Sequence, residues 1–502
     1  MSTHWIPEAV SYQINLRSLA AREPRNAIEA ANEQELKTSP LNFLTRNLPT
    51  LKELGVNLLH LMPPFPIGIQ DRKGIGSPYA VRDYTAVEEE YGTLAELKEL
   101  IRQAHRFDFR VIIGMVPNHT SRDHAWVTQH PEYYCRKPDG TPSFDLDWTD
   151  TAKLDYTHPG LRQSMIDIYD FWLNILGTNS SGLPDGVDGF RIDMAHFIND
   201  TTFWNEALSE LRKRHQDREL LFLAECYGMD NNLDLFGRGF NAAYDDDFYK
   251  VCCHYYGLDK SGTSCILPSV DAAMSTDFRY QHEAFIEGGI AAAMETTLMR
   301  YEEALGANPN TPRLARYLDN HDEGRGLFRF GEGAALAVNQ LIFLSGHAIP
   351  FLLTGQEFGA LNRPSIHERI ATCDKGPRML TDDGITQQPG IEFEGNLFSR
   401  GRRMRQGWYA FFKELIQLRA AHPELVHGEF RLLQAAEDCV DSQRTVVAFE
   451  RRLGDNLFRC AVNLGPDTRR LHHANLFSRP AIYGGMVDGQ LRPFTSVVVR
   501  SA

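Results

Sequence analysis

The chain reads as an α/β protein: a (β/α)8 TIM barrel with a loop-rich insertion after strand 3 and an antiparallel β domain at the C-terminal end. Three observations predict this. At 502 residues it is too long for one minimal domain and long enough for a large barrel with an appendage. Short, near-continuous apolar runs alternate with longer amphipathic stretches about eight times, the pattern of a parallel sheet covered by helices. The rhythm then gives way, after residue 427, to short β segments separated by Gly, Pro and Asp turns.

Residues 9–16 (AVSYQINL) predict the first strand. Leu41, Leu44, Leu48, Leu51 and Leu54 recur at helical spacing, with Pro49 expected to kink or restart that helix. Residues 56–62 (VNLLHLM) form the second strand, stopped by Pro63 and Pro64. A helix over 94–104 precedes the third strand, 109–116 (FRVIIGMV), which ends at Pro117. Helix 161–176, strand 187–193, a helix over 203–214 and strand 220–225 (LLFLAE) follow. Later units end in 317–321 and 349–353. Between 118 and 157 the chain is rich in Asp, Pro, Gly and aromatics, without helical period. The predicted organisation is therefore a barrel from 1–117 and 158–427, an insertion at 118–157 and a β domain at 428–502.

Composition narrows the function. With 42% hydrophobic and 24% charged residues the chain is an ordinary globular one, neither disordered nor fibrous. Lys+Arg 52 against Asp+Glu 66 gives −14, with no basic patch, which argues against nucleic acid as a partner. No run reaches the roughly 20 apolar residues of a membrane span, and MSTHWIPEAV lacks the basic and apolar regions of a secretory signal. Eight cysteines (Cys135, Cys226, Cys252, Cys253, Cys265, Cys373, Cys439, Cys460) include no CxxC pair, and no HExxH occurs. Free thiols and a cytoplasmic location are the expectation.

In such a barrel, catalytic groups sit at the carboxyl ends of the strands. The fourth strand ends Gly189-Phe190-Arg191-Ile192-Asp193. Alternation places Arg191 and Asp193 on one face, where the cation favours the ionised carboxylate a nucleophile requires. Taken alone the pair also suits a structural ion pair. Glu225 closes the apolar fifth strand, where poor solvation raises a carboxyl pKa and suits a general acid; a helix cap is the equal alternative. Asp319-Asn320-His321-Asp322 follows the seventh strand, and Asn118-His119 follows the third. Three carboxylates and two histidines at four strand ends point to catalysis more firmly than any one of them.

These four segments, in order VPNH (116–119), GFRID (189–193), LAE (223–225) and DNHD (319–322), resemble the motifs of the α-amylase family, glycoside hydrolase family 13. Flanking AVSYQINLRS, LKELGVNLLHLMPPFP, YAVRDYTAVEEEYGT and IPFLLTGQEFG agree with it. The resemblance implies a retaining enzyme that cleaves α-glucosidic bonds in oligosaccharides or glucans and needs no organic cofactor. By position it makes Asp193 the nucleophile, Glu225 the acid/base and Asp322 the transition-state stabiliser. Arg191 becomes the partner of the nucleophile, His119 and His321 donors to sugar hydroxyls, and Tyr79 the platform beneath the sugar. Asn118 matches a calcium ligand of many relatives, so calcium is an expected cofactor. Two departures stand out. Gly114 replaces the usual Asp four residues before Asn118, and His196-Phe197 replaces a Lys-His pair on the leaving-group side. The second, with GSPYAVRDY, keeps a maltosyl or glucosyl transferase, or a phosphate-using relative, as the alternative to hydrolysis. A non-catalytic member of the fold would lack a carboxylate, and all three are present. In the insertion, Tyr133, Tyr134 and Trp148 either stack on sugars or pack internally, and Asp245–Asp247, after the sixth strand, suggest a solvated loop in preference to a binding edge.

Overall fold

The computed structural model describes residues 4–20, 38–179, 181–256, 288–306, 311–360, 366, 378–381, 384–387, 407–433, 444–471 and 474–501. Among them, eight parallel strands close into a barrel in sequential order. They are β1 (Ser11–Ile14), β2 (Leu58–Leu61), β3 (Arg110–Met115), β4 (Gly189–Ile192), β5 (Leu221–Ala224), β6 (Ala242–Tyr244), β7 (Arg313–Tyr317) and β8 (Ala348–Leu353). Nearly every strand residue is buried. One face fills the barrel and the other lies under helices, which is why the apolar runs show no alternation. Gly189 opens β4 at φ 149°, and a Cβ there would lie 2.0 Å from the Leu221 carbonyl oxygen, so only glycine lets β4 and β5 approach.

The helices start where the side chains dictate. Pro40–Leu54 is capped by Ser39, begins on Pro40 and ends at Gly55 in the left-handed region. It continues through Pro49 without restarting. Pro49 is exposed, while Leu41, Leu44, Leu48, Leu51 and Leu54 hold the opposite face on the barrel. A Thr93–Glu96 capping box starts Leu94–Arg106.

After β3, His119–Ser121 pairs antiparallel with Thr151–Lys153, and the residues between fold over this hairpin. Tyr133 and Tyr134 are buried: Tyr133 stacks on His130 and Tyr134 shares a hydrogen bond with Thr120. They pack the insertion and do not face a sugar. Asp245 and Asp246 are likewise no solvated loop; both are buried, and Arg316 donates to Asp245 at 2.6 Å.

The C-terminal sheet has five strands, β9 (Glu429–Leu432), β10 (Val446–Leu453), β11 (Asn456–Asn463), β12 (Ala481–Gly484) and β13 (Ser496–Arg500), in the order β9-β10-β11-β13-β12. Side chains alternate across it. Val447, Phe449, Phe458, Cys460, Val462 and Val498 join the main core, whereas Val446, Ala448, Ala461, Val497 and Val499 form a second, smaller one. The described cysteines, Cys135, Cys226, Cys252, Cys253 and Cys460, are free thiols; Cys265, Cys373 and Cys439 lie outside the described residues. No described helix is long and apolar enough to cross a membrane.

Candidate active site

Arg191 sits at the centre of the carboxyl end of the barrel. Its Nη1 donates to Asp193 Oδ1 at 2.6 Å, and its Nη2 lies 2.7 Å from Glu225 Oε1. The guanidinium is held between Tyr79 and Tyr244, each ring centroid 5.5 Å away, and its Nε donates to the Tyr244 hydroxyl at 3.3 Å. Burial by itself would lower the pKa of Arg191, but Glu225, the two tyrosines and Asp193 outweigh it, so the cation is permanent. All three charged groups are buried.

Burial also pushes the Asp193 carboxyl well above the usual range, the neighbouring Glu225 charge adds to this, and Arg191 opposes it. Glu225 is fixed further by the Met194 backbone N–H, which donates to Oε2 at 3.0 Å, and by the Tyr227 hydroxyl, which donates to Oε1 at 3.2 Å. Met194 has φ 40°, an uncommon conformation for a non-glycine residue, and it lies between the two carboxylate strands.

The third carboxylate, Asp322, is one-third exposed at the mouth. Asn320 Oδ1 accepts from the Asp322 and Glu323 N–H groups, and Asp319 caps the next turn through Gly326 while pairing with Arg325. Within this motif, then, Asp319 and Asn320 shape the loop and His321 and Asp322 face the site. The His321 ring stacks on Tyr79, with Nε2 2.5 Å from the Tyr79 hydroxyl and 3.1 Å from Asp322 Oδ2. His119 is buried beside Asn118, and burial lowers its pKa to about 4, so it is a neutral hydrogen-bonding group at neutral pH.

On the Glu225 side an aromatic wall continues outward. His196 meets Phe197 edge-on at 4.7 Å and Tyr227 at 6.0 Å; Phe197 lies 6.2 Å from Trp148, which lies 5.4 Å from His119. His196 and Phe197 are half-buried here and do not pack beneath the helices. Thus Trp148 brings the insertion to the barrel mouth. Tyr227, Tyr244 and Gln13 escaped the sequence reading. Tyr227 follows Glu225 by two residues and Tyr244 ends β6, which are the signals that could have marked them.

The calcium expectation does not fit the residues present. Asn118 Nδ2 donates to Asp145 Oδ2 at 2.9 Å, and Lys153 Nζ donates to Asp145 Oδ1 at 2.7 Å. An ammonium already neutralises the Asp145 carboxylate beside Asn118. Asn118 Oδ1 is buried without a hydrogen-bond partner, but it is a single oxygen, and calcium takes six to eight. No group of three or more His, Cys, Asp or Glu that could hold a metal occurs among the described residues. Gly114 departs from the family pattern for a local reason: a Cβ there would lie 2.7 Å from Pro63 Cδ.

The family model for the catalytic domain of alpha amylase matches residues 31–148 and 141–385. The chain belongs to the alpha-amylase family. It is an enzyme that cleaves or transfers α-glucosidic bonds, as its relatives indicate. Alpha-amylase 3 of Dictyoglomus thermophilum is 24% identical over 494 residues, covering 92% of this chain and 85% of that protein. An oligo-1,6-glucosidase of Halalkalibacterium halodurans is 22% identical over 529 residues, covering 86% of each. An alpha-1,4-glucan:maltose-1-phosphate maltosyltransferase of Rhodospirillum rubrum is 28% identical over 220 residues, 39% of this chain and 30% of that protein. In fold the chain resembles an alpha-amylase from Lactobacillus plantarum (TM-score 0.68, 24% identity, all of both chains). It also resembles a debranching enzyme from Nostoc punctiforme (TM-score 0.70, 19% identity, 98% of both).

Proposed function

We propose that Asp193 and Glu225 carry a two-step retaining reaction on α-linked glucose units, with Asp322 stabilising the transition state. The observation that carries this reading is the single Arg191 guanidinium spanning both carboxylates. A bridge of that size suits the roughly 5–5.5 Å separation of a retaining pair better than the wider gap of an inverting one. In the first step an Asp193 oxygen bonds to the anomeric carbon as the glycosidic C–O bond breaks, and Glu225 gives its proton to the departing oxygen. Arg191, hydrogen-bonded to Asp193 at 2.6 Å, draws that carboxyl toward the anion the first step uses. In the second step Glu225 takes a proton from the incoming hydroxyl, whose oxygen displaces Asp193 from the anomeric carbon. Tyr79 offers its face to the sugar, and His119 and His321 bind its hydroxyls.

Release of a chromogenic α-glucoside, abolished in Asp193→Ala, tests the reading. Normal activity in the folded variant removes Asp193 from the chemistry.

The aromatic wall favours a second element of the proposal, transfer to a sugar acceptor in competition with water. Rings from His196, Phe197, Trp148 and Tyr227 give an acceptor sugar an apolar face on which to stack while displacing water. Maltotetraose should yield longer oligosaccharides, or sugar phosphate when phosphate is present, and Trp148→Ala or Phe197→Ala should shift the products toward hydrolysis. Products that are only ever shorter, over a range of acceptors, make the enzyme a plain hydrolase.

A further inference from the structure

Gln13, at the end of β1, holds His321 through two hydrogen bonds whose directions are both determined. Its Oε1 accepts from the His321 backbone N–H at 3.1 Å, and its Nε2 lies 3.0 Å from His321 Nδ1. A backbone N–H can only donate, so it settles which end of the amide is oxygen. The NH2 end, which can only donate, therefore faces Nδ1, and Nδ1 must be an acceptor without a proton. Gln13 is fully buried, and its backbone carbonyl accepts from both the N–H and the hydroxyl of Thr354, just after β8, which anchors the strand that carries the side chain.

We propose that Gln13 is a positioning residue that locks His321 as the neutral Nε2–H tautomer. The inference rests on the reading of His321 as a sugar-binding group. With Nδ1 committed as acceptor, the one proton of the neutral ring is on Nε2, directed at the Tyr79 hydroxyl oxygen and Asp322 Oδ2. Tyr79 must then accept at its oxygen and turn its own proton elsewhere. Where a substrate hydroxyl replaces Tyr79 or Asp322 as the acceptor of that proton, His321 meets it as a donor and needs no protonation to do so. The donor direction is set 308 residues away in the chain, from the opposite end of the barrel sequence.

The groups facing this ring include Gln13 from β1, His60 from β2, Tyr79 with Arg191 over its ring, and Asp322 from the same loop. Gln13→Glu keeps the size and the acceptor for the backbone N–H but offers Nδ1 an acceptor where the amide offered a donor. His321 in that variant should carry a proton on Nδ1. At low pH the ring holds both protons and still donates from Nε2. As pH rises Nε2 loses its proton first.

The experiment uses the full chain labelled with 15N-histidine, the His321 ring signals being identified by their loss in His321→Gln. Wild type should show Nε2 protonated and Nδ1 unprotonated from about pH 5 to about pH 8. Gln13→Glu should show Nδ1 protonated, with kcat/KM falling roughly tenfold or more across the same range relative to wild type. A protonated Nδ1 in wild type overturns the proposal, as does a folded Gln13→Glu enzyme whose pH profile parallels the wild type. The wild-type spectrum stands even where the variant does not fold. Because it needs no substrate, it separates failure of the lock from failure of the catalytic reading.

Discussion

Arg191 pairs with two carboxylates through one guanidinium, so each carboxylate can be removed only at a cost to the other's environment. Asp193→Asn keeps the shape and the hydrogen bond from one oxygen but cannot form the glycosyl ester. Turnover should fall by roughly 10⁴-fold or more with the fold retained, measured as steady-state kcat alongside a thermal melt. Glu225→Gln differs in kind. Substrates with poor leaving groups should lose most, whereas an α-glucosyl fluoride should keep a large part of the first step, since its leaving group needs no proton. Equal losses on both substrates would reduce Glu225 to a binding group. These residues were legible in the sequence because each ends a short apolar strand, where an ionisable side chain is conspicuous. Gln13 and Tyr227 were not. A glutamine inside an apolar strand has no chemistry until its partner is known, and that partner, His321, comes from the loop after β7.

At the scale of elements, the insertion is held by side chains that the sequence showed without their pairing. Its lack of period marked a loop-rich segment, yet whether Tyr133 and Tyr134 pack inward and where Lys153 reaches depends on the turn of the hairpin, which no spacing encodes. Lys153 opposes His119 in that hairpin and places its ammonium on Asp145. Chelators should therefore leave the melting temperature and activity unchanged, while Lys153→Met should lower stability by about 1.5–3 kcal/mol, the net worth of a charged hydrogen bond. A melting point that drops in EDTA and recovers with calcium refutes this account. His124, buried in the same element, has its pKa lowered by burial to about 4. Between pH 6.5 and 4 the unfolded chain takes up a proton that the folded one refuses, so stability should fall as pH falls through that window. The loss should reach up to roughly 3 kcal/mol, the Asp83 and Asp123 charges already offsetting part of the burial effect. Denaturant melts of wild type and His124→Phe at several pH values measure the difference. Within β3, Gly114→Asp should cost about 1–3 kcal/mol through overpacking against Pro63.

For the whole molecule, the barrel was readable from its alternating strands and helices, because eight covered parallel strands have few other ways to close. How the C-terminal sheet joins it was not, since a run such as VVAF is apolar at every position and does not say which face looks where. The structure answers with two cores. Val447, Phe449, Phe458, Val462 and Val498 belong to the same core as the helix Glu332–Leu344. At this junction Gly333 leaves room for Phe494, whose ring would lie 2.3 Å from a Cβ there, and Ser496 donates to the buried Gln340 side chain. Polar and apolar contacts therefore run across the boundary without a solvated gap, which predicts one cooperative unit. Full-length enzyme should unfold in a single calorimetric transition, and Phe449→Ala should lower its stability by about 3–5 kcal/mol. A chain ending at residue 427 should fail to fold into an active barrel, because it bares the apolar side of the Glu332–Leu344 helix to water. Soluble, active truncated protein, or two separate transitions in the intact chain, would show that the sheet is an independent appendage and that the barrel stands without it.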